Sequence, residues 1–321
     1  MTKAAQIVKY GELIPCRTAF IDAHTPGSNQ KENFTIIGGG VSESADQHVH
    51  IKDTPGFNIG AAGQPPKCRN SLHTHHTAEV FFVLSGRWRF FWGRWGNAGS
   101  VILETGDIFD IPTGMFRGFE NIGSDYGMIM AILGGDDAGG GVLWAPQVIE
   151  EAKAHGLILG DNGKLYDTTK NEHLPETVNP MPVMRDDVLA LMAEPDISEI
   201  VPRWVARYLD LKALAQNRPV DVIGENGLIF DRPGFDVSFQ SGSADTSPYS
   251  TDSYEVLMPV KGHWKLITDR QTDYIGPGDT AFIQPGVERH LSASMAGESA
   301  LFRVRNTDDP AGPSWIERTE K

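Results

Sequence analysis

Apolar residues in this chain come in short runs rich in Val, Ile and Phe, cut by Gly, Pro, Asn and Asp. That texture predicts antiparallel strands of a barrel or sandwich rather than βαβ units. The run Val80 to Leu84 turns at Ser85-Gly86 into Arg87 to Trp92, which predicts a hairpin. Bases and rings alternate from Arg87 to Trp95, a pattern that suits barrel core with cation–π contacts. Midway the spacing becomes helical. Pro146 to Ala154 opens on proline and closes at Gly156, and Asp186 to Ala193 and Ile200 to Leu214 are two further predicted helices. In the last of these, Val201, Trp204, Val205 and Tyr208 recur at helical intervals.

Three blocks occur twice, in the same order. Asp53-Thr54-Pro55-Gly56-Phe57-Asn58 returns as Asp231-Arg232-Pro233-Gly234-Phe235-Asp236, and the run from Glu79 to Trp88 returns as Glu255 to Trp264. Gly106-Asp107 through Gly114 is answered by Gly278-Asp279 through Gly286. The offsets of 178, 176 and 172 residues drift slowly, as short loop deletions in the second copy would make them. The organisation predicted is all-β: one barrel over residues 1–145, a helical connector over 146–215 and a second barrel over 216–321. The glycine-rich stretch Gly134 to Gly141 reads as a loop, because no phosphate-binding frame accompanies it.

A length of 321 residues allows two domains with their own cores. The formal charge of −14 excludes a phosphate-backbone binder, so no nucleic-acid partner is expected. Two cysteines give no disulfide framework, and no apolar stretch reaches the length of a membrane span. Met1 to Gln6 leads into no apolar signal core, and the chain reads as cytoplasmic.

Candidate chemistry concentrates in His73-Thr74-His75-His76-Thr77-Ala78-Glu79. If the segment is one strand, His73, His75 and Glu79 share a face and His76 takes the other. Two imidazoles and a carboxylate suit iron, zinc, manganese or nickel, and they leave coordination positions open. A second such pair, His48 and His50, lacks a following acid and reads as solvated strand, kept as backup ligands. Phe81 and Phe116 are candidate walls of an aromatic pocket.

These residues resemble the cupin superfamily. His73, His75, Glu79 and Gly86 fit its first motif, and Gly106, Pro112, Gly114 and Asn121 fit its second. Because the blocks recur, the resemblance implies a bicupin of two jelly-roll domains. The chain departs from that pattern at the second-motif His, which is Arg117 here, so the first barrel offers at most three ligands. In the second copy Tyr249 and Thr251 stand where the two His would be, and Arg289 stands in the place of Arg117. The expectation is one divalent transition metal per chain, Fe(II) favoured and Zn, Mn or Ni alternatives, held by His73, His75 and Glu79. Arg117 has two readings: it binds a substrate anion, or it makes a structural pair with Glu79. The predicted function is an Fe(II)-type oxygenase acting on a small anionic or aromatic substrate, with homodimerisation expected by analogy. Its rivals are a metal-free isomerase, epimerase or lyase using His and Arg, and a non-catalytic small-molecule binder.

Overall fold

The computed structural model describes residues 5–307, apart from 136–140, 217, 243–245 and 295–296. Most of the predicted loop from Gly134 to Gly141, the first four residues and the tail from 308 lie outside the described residues. In chain order the strands begin with β1 (Ala5–Val8), β2 (Glu32–Ile37), β3 (Val49–Ile51), β4 (Phe57–Gln64), β5 (Arg69–Thr74) and β6 (Glu79–Ser85). There follow β7 (Arg87–Trp92), β8 (Gly99–Glu104), β9 (Ile108–Ile111), β10 (Arg117–Asn121), β11 (Gly127–Gly134) and β12 (Leu143–Trp144). The connector carries α1 (Pro146–Ala154), β13 (Leu157–Leu159), β14 (Leu165–Asp167), α2 (Asp186–Leu189), α3 (Ile197–Trp204), β15 (Val205–Ala206) and α4 (Tyr208–Leu214). The rest is β16 (Val220–Gly224), β17 (Ile229–Phe230), β18 (Phe235–Ser241), β19 (Glu255–Lys261), β20 (Trp264–Thr268), β21 (Thr272–Ile275), β22 (Thr280–Ile283), β23 (Arg289–Ala293) and β24 (Ala300–Asn306).

Two jelly-roll barrels result, each with one seven-stranded sheet. The first has the order β15-β9-β6-β11-β4-β2-β3 and the second β1-β22-β19-β24-β18-β16-β17. The first barrel is closed by a five-stranded sheet, β12-β5-β10-β7-β8, and the second by a three-stranded one, β21-β20-β23. The large sheets face each other across one apolar core, with Phe82 against Phe302 at 4.7 Å and Phe57 against Phe235 at 5.5 Å between ring centroids. This explains why β6 and β19 are apolar without alternation. Val80, Phe82 and Leu84 point to the neighbouring barrel while Phe81 and Val83 point into their own, so both faces are buried. In β7 only one face is, and Trp88, Phe90 and Trp92 are core while Arg87 and Arg89 pair outside with Glu104 and Glu120.

The two sheet orders contain an exchange. β1 pairs with β22 of the second barrel, although it lies in the segment assigned to the first, and β15 of the connector pairs with β9 of the first. Each visiting strand is anchored alike. Tyr208 N and Arg207 Nη1 donate to Asp107 at 2.9 and 2.8 Å, and Tyr10 N and Lys9 Nζ donate to Asp279, both at 2.9 Å. The glycine before each aspartate has positive φ, +90° at Gly106 and +86° at Gly278. A Cβ there would meet the Tyr208 or Tyr10 ring at 2.3 or 2.5 Å, so neither position accepts another residue without displacing its tyrosine.

Two local expectations change. Ser85-Gly86 is no hairpin, because β6 pairs with β9 and β11 whereas β7 pairs with β8 and β10. Gly86, at φ +90°, turns the chain from one sheet into the other. The single helix over Ile200 to Leu214 is broken, since Val205 takes extended angles (φ −120°, ψ 126°) to pair with Phe109. Pairing with the barrel edge overrides helical periodicity there. α1 begins and ends where Pro146 and Gly156 place it. No helix among the described residues is long and apolar enough to cross a membrane.

Candidate metal centre

His73, His75 and Glu79 meet, though not on one strand. β5 ends at Thr74, a turn covers His75 to Ala78, and Glu79 opens β6 in the other sheet of the barrel. Face alternation does not carry through that bend, so the barrel corner, not strand periodicity, brings the three together. One potential ligand atom from each lies within 4.8 Å of the other two, and all three residues are buried.

The imidazoles are oriented by main chain. His73 Nδ1 donates to Ser71 O at 2.7 Å and His75 Nδ1 to Gly141 O at 2.8 Å. A carbonyl only accepts, so both rings carry the proton on Nδ1 and turn an Nε2 lone pair inward, the arrangement that metal-binding histidines need. Asn70 Nδ2, 3.4 Å from the same His73 nitrogen, therefore makes no hydrogen bond to it. His75 Nε2 lies 3.4 Å from Glu79 Oε1. A proton or a metal placed between these two atoms would satisfy both lone pairs. The donor set fits a divalent transition metal on this count.

Arg117 is fully buried behind Glu79. Its Nε donates to Glu79 Oε2 at 3.0 Å, Nη2 pairs with the same oxygen, and Nη1 donates to His73 O at 2.9 Å. Arg117 also stands opposite His73 in the β10–β5 ladder. It does not line the cavity in front of the triad, so of its two readings the geometry matches the pair with Glu79. Burial, and after it the Arg117 charge, holds His73 well below the ordinary imidazole range, which keeps its lone pair free. Burial opposes ionisation of Glu79, but Arg117 and then His75 outweigh it, and the carboxyl sits below the usual carboxylate range.

The cavity is walled by Phe34, Phe81, Phe119, Leu133 and Trp144, and has a volume of about 60 Å³. Asn33, which was not among the expected site residues, brings to its wall an amide nitrogen that is buried and unpartnered. Phe81 is in the wall; Phe116 is not, and packs under the connector instead. His48 is exposed, while His50 is tied to Thr35 O at 2.7 Å and Ile14 N at 3.2 Å, so neither joins the site. Trp144 pairs with His73 through β12, lies tilted at 42° with its ring 5.4 Å from the imidazole, and donates Nε1 to Glu43 Oε1 at 2.7 Å. Burial pushes the Glu43 carboxyl up to about 8, against the opposing hydrogen bonds from Trp144 and Ile21.

The cupin domain family matches residues 63–133, which span β5 to β11 and hold His73, His75, Glu79 and Arg117. The first barrel therefore carries a cupin domain, and the second repeats its jelly-roll fold. Solved structures similar to this chain include the Lactobacillus farciminis oxalate decarboxylase formate complex, at 12% identity and TM-score 0.56, covering 96% of this chain and 87% of that one. The salicylate 1,2-dioxygenase of Pseudaminobacter salicylatoxidans follows at 13% and 0.54, covering 94% and 83%. Hazelnut (Corylus avellana) vicilin is alike at 13% and 0.52, covering 94% and 85%. Two enzymes of different reactions and a vicilin share the bicupin architecture, so the likeness is one of fold. A search of curated protein sequences finds no match.

Proposed function

We propose that this bicupin is a metal-dependent enzyme whose first barrel holds one divalent transition metal through His73 Nε2, His75 Nε2 and Glu79 Oε1, and that it performs Fe(II)-type oxygenation of a small anionic compound. The observation that carries the reading is the convergence of three ligand atoms with both imidazoles pinned at Nδ1 by carbonyls. When bound, such a metal supplies a Lewis-acid centre with open positions and, as iron, electrons for dioxygen. The protein's part is orientation and exclusion. Arg117 fixes Glu79 so that one carboxylate oxygen faces His75, which makes Arg117 a positioning residue. Because Arg117 already cancels the Glu79 charge, the triad gives a dication no net compensation, and the cavity favours an anionic ligand atom. Phe81, Phe119 and Leu133 keep bulk water out.

Elemental analysis after anaerobic reconstitution with Fe(II) should find close to one metal per chain, and His75→Ala should remove it while leaving the fold intact. Less than about a tenth of an equivalent in the wild-type protein overturns the reading. The 3.4 Å approach of His75 to Glu79 favours one rival, since a proton there closes the network without metal. A metal-free isomerase, epimerase or lyase would keep its activity in chelator.

A further inference from the structure

We infer that the substrate has two parts: a small anionic head that reaches the triad, and an apolar body that occupies a second chamber between the first barrel and the connector. The head rests on the function proposed above; the chamber does not. The space in front of the triad, about 60 Å³, holds roughly four water-sized probes at 10–15 Å³ each. A carboxylate or a two-carbon unit fits there and a substituted ring does not.

The larger space lies behind one wall. Gly40, Val41, Ser42, Val142 and Trp144 line both the metal cavity and a chamber of about 460 Å³, whose far side is built by the connector residues Ile149, Leu159, Met181, Met184 and Val188. The chamber is apolar; among the described residues its titratable side chains are Glu43 and His76, and no Lys or Arg lines it. It has no cation to pair with an anionic body, so the charged end belongs at the triad and the uncharged end here.

The dividing wall touches the backbone that carries the metal ligands. β12 pairs with His73 and Thr74, and Gly141, which lines the chamber, is the acceptor for His75 Nδ1. The ligand class is a carboxylate or enol bearing an extended aliphatic or aryl group.

Straight-chain acids from acetate to octanoate, titrated calorimetrically into metal-reconstituted protein, test this. Affinity should rise about fourfold per methylene once the chain passes the dividing wall. Met184→Phe should fill the chamber and flatten the series while leaving acetate unchanged, and Met184→Ala should shift the gain to longer acids. Val188→Phe gives a second filling variant if Met184→Phe misfolds. A flat series in the wild type, or the same increment per methylene in Met184→Phe, overturns the chamber. In His75→Ala the acetate affinity should fall while the methylene increment persists. Increments in a protein that takes up no metal would sink the metal reading and leave the chamber standing.

Discussion

Glu79 and Glu255 hold the same place in the two barrels and each pairs with an equivalent arginine, Arg117 or Arg289, yet the rest of their surroundings diverges. Each opens an inward row on an interior strand of a large sheet. Glu79 is opposed across the ladder by Leu133, with Ala131 beside it; Glu255 is opposed by Arg305, with Arg303 two residues earlier on the same strand. Leu133 and Ala131 leave room for a cavity. In the second barrel Arg289, Arg303 and Arg305 all reach Glu255, at 3.1, 3.3 and 2.6 Å, and the Tyr249 ring lies 4.7–5.8 Å from the three guanidinium carbons. Tyr249 bridges to Arg289 as His73 pairs with Arg117, so the tyrosine stands in the histidine's position. The duplicated scaffold supports either a ligand site or a packed ionic cluster. The barrels differ at two positions on the strand beside the glutamate and at the two that carry the imidazoles in the first barrel.

The sharpest test compares the two glutamates. Glu255→Gln leaves three guanidiniums around a neutral buried amide and should cost about 3–5 kcal/mol, read as a fall in denaturant midpoint. Glu79→Gln leaves only Arg117, which keeps the His73 carbonyl, and should cost less while abolishing metal uptake. Equal losses would show that the number of stranded cations does not govern the difference.

Where the barrels are alike, they should respond alike. Asp107→Ala and Asp279→Ala each remove the acceptor that anchors a visiting strand. Each should lose about 1.5–3 kcal/mol by chemical denaturation, and a one-sided effect would break the symmetry.

The smallest effect is a pair of opposite pH slopes. Glu43 has its carboxyl raised to about 8, above its unfolded value, so its contribution to stability is whole at acid pH and is lost as pH climbs toward 8. Glu255 is lowered, Arg303 leading Arg305 and Arg289 against burial, so its contribution is present at neutral pH and is lost as pH falls below the ordinary carboxylate range. Glu43→Gln should flatten the decline of melting temperature between about pH 4.5 and 8 and leave the curve below that range unchanged. The same slope between about pH 4.5 and 8 in the wild type and in Glu43→Gln counts against the Glu43 assignment.

The duplication, the strand content and the triad were legible because each rests on several residues in fixed order. The role of Arg117 was legible only as a choice, since a motif says which residue replaces a ligand and not which way its donors turn. Two of the three arginines around Glu255 were missed, because Arg303 and Arg305 lie 48 and 50 residues away in sequence and only the ladder brings them in. The exchanged strands escaped for a different reason. β1 and β15 have four and two residues, too few for a pattern. Yet a signal existed: Lys9-Tyr10-Gly11-Glu12-Leu13 returns as Arg207-Tyr208-Leu209-Asp210-Leu211, at an offset of 198 that the other three blocks do not share.

That exchange also bears on the order of assembly during synthesis. Ile111 and the rest of β9 emerge from the ribosome long before Val205, so the first barrel waits with one sheet edge bare until the connector is made. Ala5–Val8 waits longer still, because its partner is Thr280–Ile283. Neither half of the chain encodes a whole barrel, and the earliest strand translated is among the last to find its place.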